Sequence, residues 1–423
     1  MPIRFAYALL VICALLALYA APARAQCGGL CLYEIGTPDS GRSTAGASAR
    51  AEDATTALWN PAGMTRLEGV HMHLGTVLGI TDIAFDVGPG TSAFLGDNDG
   101  GDLNSFLPLA GAFVALNPIE KLRMGIAFTG DYGGAVDYDN NWVGRSFVTE
   151  ANLMGMNFAL QFAYPVTDWL SVGAGINFMY ALFDMKFRAS TAGDAPTVEV
   201  SNADDWAPSA NVGLLFTPRE DTRIGINYRS QTSLNLSGDF EVPAGADPDL
   251  NFGVKMNFPQ GFNVGVFHQL TEKIDLFADA GWSQWSKFGY MPATIENITI
   301  PIDRDWDDTW RLAAGARFRP LPKWMLNTGF SWDSSPVSGS KRLPDIPAGG
   351  QFRFSLGSEH PVAKNITLGI AYTFVYSPDM EVDNVALPTP VGDPPRILDG
   401  DYDPTFLHFV TLNVSFRFGG PDA

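Results

Sequence analysis

Past its first two dozen residues this 423-residue chain has no apolar run approaching the ~20 residues that span a bilayer as a helix. Any membrane crossing therefore falls to strands. There are only three cysteines: Cys13 lies in the apolar leader, and Cys27 and Cys31 are too few for a disulfide scaffold and have no further ligands nearby for a zinc site. On an oxidising export route those two are a candidate disulfide. Bases are scarce as well, 27 Lys and Arg against 46 Asp and Glu, for a net charge of −19, a balance that repels nucleic acid. There is no Gly-x-Ser-x-Gly elbow, no phosphate loop and no His-Glu-x-x-His. Neither catalysis nor a cofactor is expected. His71 and His73 share a strand face but lack a third ligand in sequence, and Asp97-Asn98-Asp99-Gly100 does not place its glycine where a calcium loop needs it, so no metal is expected.

The leader sets the compartment. Arg4 is followed by the nearly all-apolar stretch Phe5 to Ala21 and then by Ala23-Arg24-Ala25, a small-x-small cleavage pattern. Residues 1–25 are read as a signal peptide, and the charge of what remains becomes −21. The acids gather in stretches such as Asp97 to Asp102 and Asp303 to Asp308. These either keep exposed loops soluble or hold divalent cations beside lipopolysaccharide.

Beyond residue 69 the dominant period is two. In the last segment Val410, Leu412, Val414, Phe416 and Phe418 fall on one face, and Thr411, Asn413, Ser415 and Arg417 on the other. Leu170 to Tyr180 and Ile366 to Phe374 repeat the pattern. A soluble sandwich alternates too, so connection lengths must decide. Short turns fall at Asn117-Pro118, Pro165 to Asp168, Pro218 to Asp221, Thr271 to Lys273, Pro320 to Lys323 and Pro361 to Asn365. Longer polar stretches lie near 87–105, 133–150, 189–205, 237–252, 288–305, 335–349 and 378–405. Six tight turns alternating with seven long loops predict an all-β, 14-stranded antiparallel transmembrane β-barrel over 69–423, with short turns on one side and long loops on the other. Closure removes the sheet edges that hydrocarbon would leave unsatisfied. Trp169, Trp324, Trp206, Trp306 and Trp310 stand where strands meet turns or loops, as interfacial aromatic girdles do. Residues 26–68 do not alternate and are rich in Ala, Gly, Ser and Thr; they are read as a compact N-terminal hatch able to occupy a lumen too wide for barrel side chains to fill.

The segment from Gly46 through Trp59-Asn60-Pro61-Ala62-Gly63-Met64 resembles the hatch of the outer-membrane long-chain fatty acid transporters, the FadL family. Trp142-Val143-Gly144-Arg145, Ala163-Tyr164 through Asp168-Trp169-Leu170, Trp282 to Phe288, Asp308 to Arg311 and Asp333 to Pro336 continue the resemblance in order. It implies a plugged 14-stranded barrel in the bacterial outer membrane, inserted by the barrel-assembly machinery, for passive uptake of fatty acids or aromatic hydrocarbons, with exit sideways through the wall. Two departures stand out. Phe418 is followed by Gly419 to Ala423 where such barrels end on an aromatic residue, and Thr129 to Gly134 stand where family members carry Pro-Phe-Gly or Pro-Tyr-Gly.

Trp59, Asn60, Pro61, Ala62 and Gly63 are the candidate gate. Pro61 fixes its own φ and favours extended geometry at Asn60, while Ala62 and Gly63 allow close backbone approach; a rigid turn leading into the first strand explains them equally. Gly130, Gly133 and Gly134 are candidates for a strand kink, with loop flexibility the competing explanation. Arg223, Arg229, Arg311 and Arg317 alternate onto inward faces and are candidate partners for a ligand carboxylate, or for lumen acids. A general porin or a structural or adhesive barrel is the alternative function, separated by whether the lumen is plugged. A lipid-cleaving barrel would need a Ser, His and acid meeting at one rim.

Overall fold

The computed structural model describes residues 30–189, 195–242, 250–378, 380–387 and 396–419; the expected signal peptide, residues 1–25, and Cys27 lie outside these residues. Fourteen strands form the wall: β1 (Val70–Asp82), β2 (Phe106–Leu116), β3 (Arg123–Asp137), β4 (Glu150–Pro165), β5 (Leu170–Arg188), β6 (Thr197–Arg219), β7 (Thr222–Arg229, resuming as Thr232–Glu241), β8 (Leu250–Phe258, resuming as Gly261–Thr271), β9 (Ile274–Ser283), β10 (Thr309–Leu321), β11 (Trp324–Asp333), β12 (Gln351–Ala363), β13 (Ile366–Ser377) and β14 (Thr405–Phe418). Each pairs antiparallel with its neighbours in sequence, and β14 returns to β1 in a register running from Val70 opposite Phe418 to Asp82 opposite Phe406. The ring closes. The break in β8 sits at Pro259, which has no N–H to give a ladder.

Burial is inverted relative to a soluble sheet. On β14 Leu412 is exposed while Thr411, Asn413 and Ser415 are buried, and on β12 and β13 Leu356 and Ile370 face out while Ser355 and Thr373 face in. An apolar outside and a polar inside fit a wall solvated by lipid. All six tight turns fall where the sequence places them. Trp169, Trp310 and Trp324 are exposed at strand ends. Trp206 is exposed too, but it lies well inside β6, because that strand begins at Thr197, and Trp306 is not on a girdle: it is buried against Trp285 and Phe288, at 5.7 and 5.2 Å between ring centroids. Aromatic packing among loop residues outcompetes the interface there. Several strands also run past the boundaries expected of them, β3 to Asp137 and β6 from Thr197. Loop residues add a three-stranded sheet (Phe85–Val87, Met380–Leu387, Arg396–Tyr402) and a hairpin at Ala293–Ile295 and Ile298–Ile300 docked on β8.

Residues 30–69 make no strand of the wall. Their short helical turns, Pro38–Arg42, Ala47–Arg50, Thr56–Trp59 and Pro61–Arg66, touch strands around the whole ring: the first meets β10 to β13, the second β7 and β8, and the last β3 to β6.

Candidate functional site

The segment is seated on glycines. Inward-facing Gly75 on β1, Gly225 on β7 and Gly329 on β11 would each place a Cβ 1.8–2.1 Å from a carbonyl oxygen of the segment, those of Gly36, Ser48 and Arg42 respectively. Gly213 on β6 would meet the Asn60 Oδ1 at 2.0 Å, and Gly173 on β5 the Ala62 nitrogen at 2.4 Å. No other residue permits such backbone-to-backbone approach. Gly36 adds a left-handed φ of 81° where it meets Gly75.

Asn60 is fully buried. Its Nδ2 donates to the carbonyls of Ser48 (2.8 Å) and of Leu214 on β6 (2.9 Å), and its Oδ1 accepts from the Ala62 N–H. The Asn-Pro-Ala-Gly sequence thus packs against the wall through Asn60, with Pro61, Ala62 and Gly63 buried behind it and Trp59 half-buried.

Charges reinforce the seat. Glu52 receives Arg317 of β10 at 2.8 Å and Arg223 of β7 at 3.2 Å, and Arg50 lies within 2.6–2.9 Å of Asp53 and Asp39. Arg42 reaches Asp39 and the Asn327 amide, and Arg311 holds the Ser43 carbonyl and the Thr44 hydroxyl. Arg223, Arg311 and Arg317 are therefore engaged with the segment and its acids, whereas Arg229 pairs with Asp131 at 2.9 Å. His73 uses both ring nitrogens, on Ser415 and on the Gly36 carbonyl.

Burial by itself would raise the Glu52 carboxyl, but Arg317, Arg50 and Arg223 outweigh it and hold it below the ordinary value of 4.5; Asp53 is likewise held down against burial by Arg50. A depressed carboxylate contributes stability that is complete above its unfolded value and is lost as pH falls below it. The contribution of Glu52 to the segment's protease resistance is expected to be undiminished down to about pH 5 and to be lost only in stronger acid, which limited proteolysis of wild type against Glu52→Gln across pH would read as a difference that closes in acid.

Above the segment lies a cavity of about 510 Å³. Its lining is mostly apolar, including Leu32, Phe252, Met256, Met291 and Ile302, and it holds one ion pair, Arg304 with Asp345. A smaller cavity, about 160 Å³, is lined by Tyr33, Asp131, Arg229 and Arg311.

Beside the large cavity the wall is incomplete. Strands β2 and β3 pair only from Gly111 opposite Thr129 to Leu116 opposite Met124, although β2 remains paired with β1 as far as Phe106. The cause is on β3: its register with β4 slips between Gly130 and Tyr132, so that Asp131 is an extra residue, a bulge. In place of β2, residues 30–32 take the edge. Leu32 donates to the Asp131 carbonyl and Gly133 donates to the Leu30 carbonyl, both at 3.0 Å, around a Cys31–Tyr132 bridge. Gly133 and Gly134 line the cavity on one side of this gap and Leu107 lines it on the other. Cys31 is disulfide-bonded; Cys27 is outside the described residues.

Sequence reasoning had no access to Arg304, Asp345 or the glycine seat. The glycines are visible in the period-two pattern, where Gly173 shares the inward face with Ser171 and Asn177, but composition alone reads that face as wettable rather than as a contact surface.

The family described as outer membrane protein transport protein (OMPP1/FadL/TodX) matches residues 18–418. The chain is 22% identical over 394 residues to the long-chain fatty acid transport protein of Salmonella typhi, covering 85% of this chain and 90% of that one. Among solved structures it resembles a Pseudomonas aeruginosa FadL homologue (TM-score 0.83, 20% identity, 92% of this chain and 100% of that one). It also resembles the Pseudomonas putida toluene transporter TodX (TM-score 0.67, 15% identity, 94% and 100%).

Proposed function

The chain belongs to the outer membrane protein transport family (OMPP1/FadL/TodX), and from that premise we propose that it carries small hydrophobic molecules, fatty acids or aromatic hydrocarbons, passively across the outer membrane through a plugged barrel with a lateral exit. The observation that carries this reading is the apolar cavity that runs to an interruption in the barrel wall, covered among the described residues by residues 30–32. An oily molecule gains nothing by passing through a watery pore. It enters among the loops, rests in the cavity and leaves between β2 and β3 into the membrane, down its gradient and with no covalent step. Residues 26–68 act as the hatch, Asn60 to Gly63 anchor it, and the bulge at Asp131, flanked by Gly130, Gly133 and Gly134, makes the exit. The plugged lumen disfavours a general porin.

The test is uptake of radiolabelled oleate and toluene by cells lacking their own transporter, with the wild-type gene and with Asn60→Ala/Pro61→Ala. Uptake of either compound above the empty-vector level, reduced by the double change at equal surface expression, is expected. No uptake of either by an inserted barrel returns the protein to the porin or structural alternative.

A further inference from the structure

The large cavity contains charge that an apolar binding site does not require. Among the described residues lining it, Arg304 and Asp345 are the only ionisable ones. They come from two different loops, 284–308 and 334–350, and meet in a two-pronged pair, Nη1 to Oδ1 at 2.8 Å and Nη2 to Oδ2 at 2.5 Å, with both side chains almost wholly buried. Asp345 is fixed from behind: the carbonyl of Pro344 accepts the Tyr138 hydroxyl at 2.9 Å, and Tyr138 stacks on Trp142 at 3.9 Å between ring centroids. The Arg304 backbone is fixed too, its N–H donating to the Gly289 carbonyl. The Arg304 Nε remains buried without an acceptor.

A buried guanidinium whose fork is filled by a carboxylate is neutralised in place. A ligand carboxylate entering the cavity would have to share that cation with Asp345, leaving two like charges beside one opposite charge in a site with little water to screen them, an arrangement that discriminates strongly against the second anion. A neutral molecule meets no such penalty. We propose, resting on the uptake reading above, that this cavity selects uncharged hydrophobic molecules, including esters, alcohols and hydrocarbons, over ionised fatty acids, and that Asp345 sets this preference.

The test compares decanoate with methyl decanoate, which share a chain and differ in charge, by equilibrium dialysis against the purified full-length protein in detergent at neutral pH. Wild type is expected to bind the ester about tenfold or more tightly than the anion. Asp345→Asn, which keeps an acceptor for Arg304 and removes the charge, is expected to raise decanoate affinity about tenfold and leave ester affinity unchanged. Arg304→Met/Asp345→Leu, which removes the pair without stranding either charge, is expected to retain the ester. Wild-type preference for the anion, or an ester-to-anion ratio unmoved by Asp345→Asn, overturns the proposal while leaving uptake intact. Binding of neither ligand by wild type overturns this inference, and the oleate and toluene uptake described above then decides the reading beneath it.

Discussion

Replacing Gly225 with valine is expected to convert a closed barrel into an open one. The Cβ at this position falls 1.9 Å from the Ser48 carbonyl oxygen, and what it strikes is backbone, not the free end of a side chain. Main chain packed this tightly cannot step aside locally, because Ser48 is tied on either side to Asn60 and to Asn263 and Asp279. The segment must lift as a body. The wall itself loses nothing, since Gly225 keeps its pairing with Gly265 and Leu215, so heat-modifiability of the barrel should match wild type. Planar-bilayer conductance should rise from near background to a value typical of wide channels, and cells should become sensitive to antibiotics too large for the native protein. Wild-type conductance with valine in place would show that the segment is not what closes the lumen.

Deleting Asp131 is expected to abolish uptake without opening the pore. The deletion removes the extra residue between Gly130 and Tyr132 and lets β3 continue in one register against β4. A straight β3 can extend its ladder with β2 beyond Thr129, closing the interruption through which we propose ligand leaves. Arg229 loses its carboxylate in the process; Asp131→Ala therefore serves as the comparison, since it removes the same charge and keeps the bulge. Uptake at the empty-vector level for the deletion and near wild type for Asp131→Ala is the expected pair of results. Equal uptake by both would mean that cargo leaves by another route.

The barrel was legible because lipid writes a simple rule into it. Leu412 must be greasy and Asn413 can be wet, and turns such as Pro361 to Asn365 must be short on one side. Strand ends were harder to place. Around Asp204 and Asp205 of β6, and Gly133 to Asp137 of β3, apolar alternation fades, so a pattern tuned to the bilayer reads continuing strand as loop. Trp306 failed for a related reason, because sequence position places it near an interface while its packing partners, Trp285 and Phe288, become neighbours only in three dimensions. The arginines show the limit most clearly. Inward placement of Arg223 and Arg317 follows from period two, but their shared partner Glu52 is 171 residues from the first and 265 from the second, and no local pattern announces such a meeting. The bulge on β3 sits between these extremes: glycines mark its neighbourhood, while the residue that bulges is Asp131.

The glycine seat also bears on how the molecule is made. The glycines that receive the amino-terminal segment are spread from Gly75 to Gly357, so the part of the chain synthesised first acquires its full binding surface only after β12 has been laid down. A barrel stalled midway through assembly would hold an N-terminal tail with half a socket, exposed to periplasmic proteases. Docking of that tail therefore waits on a nearly complete wall, because the glycines that receive it come together only as the ring closes.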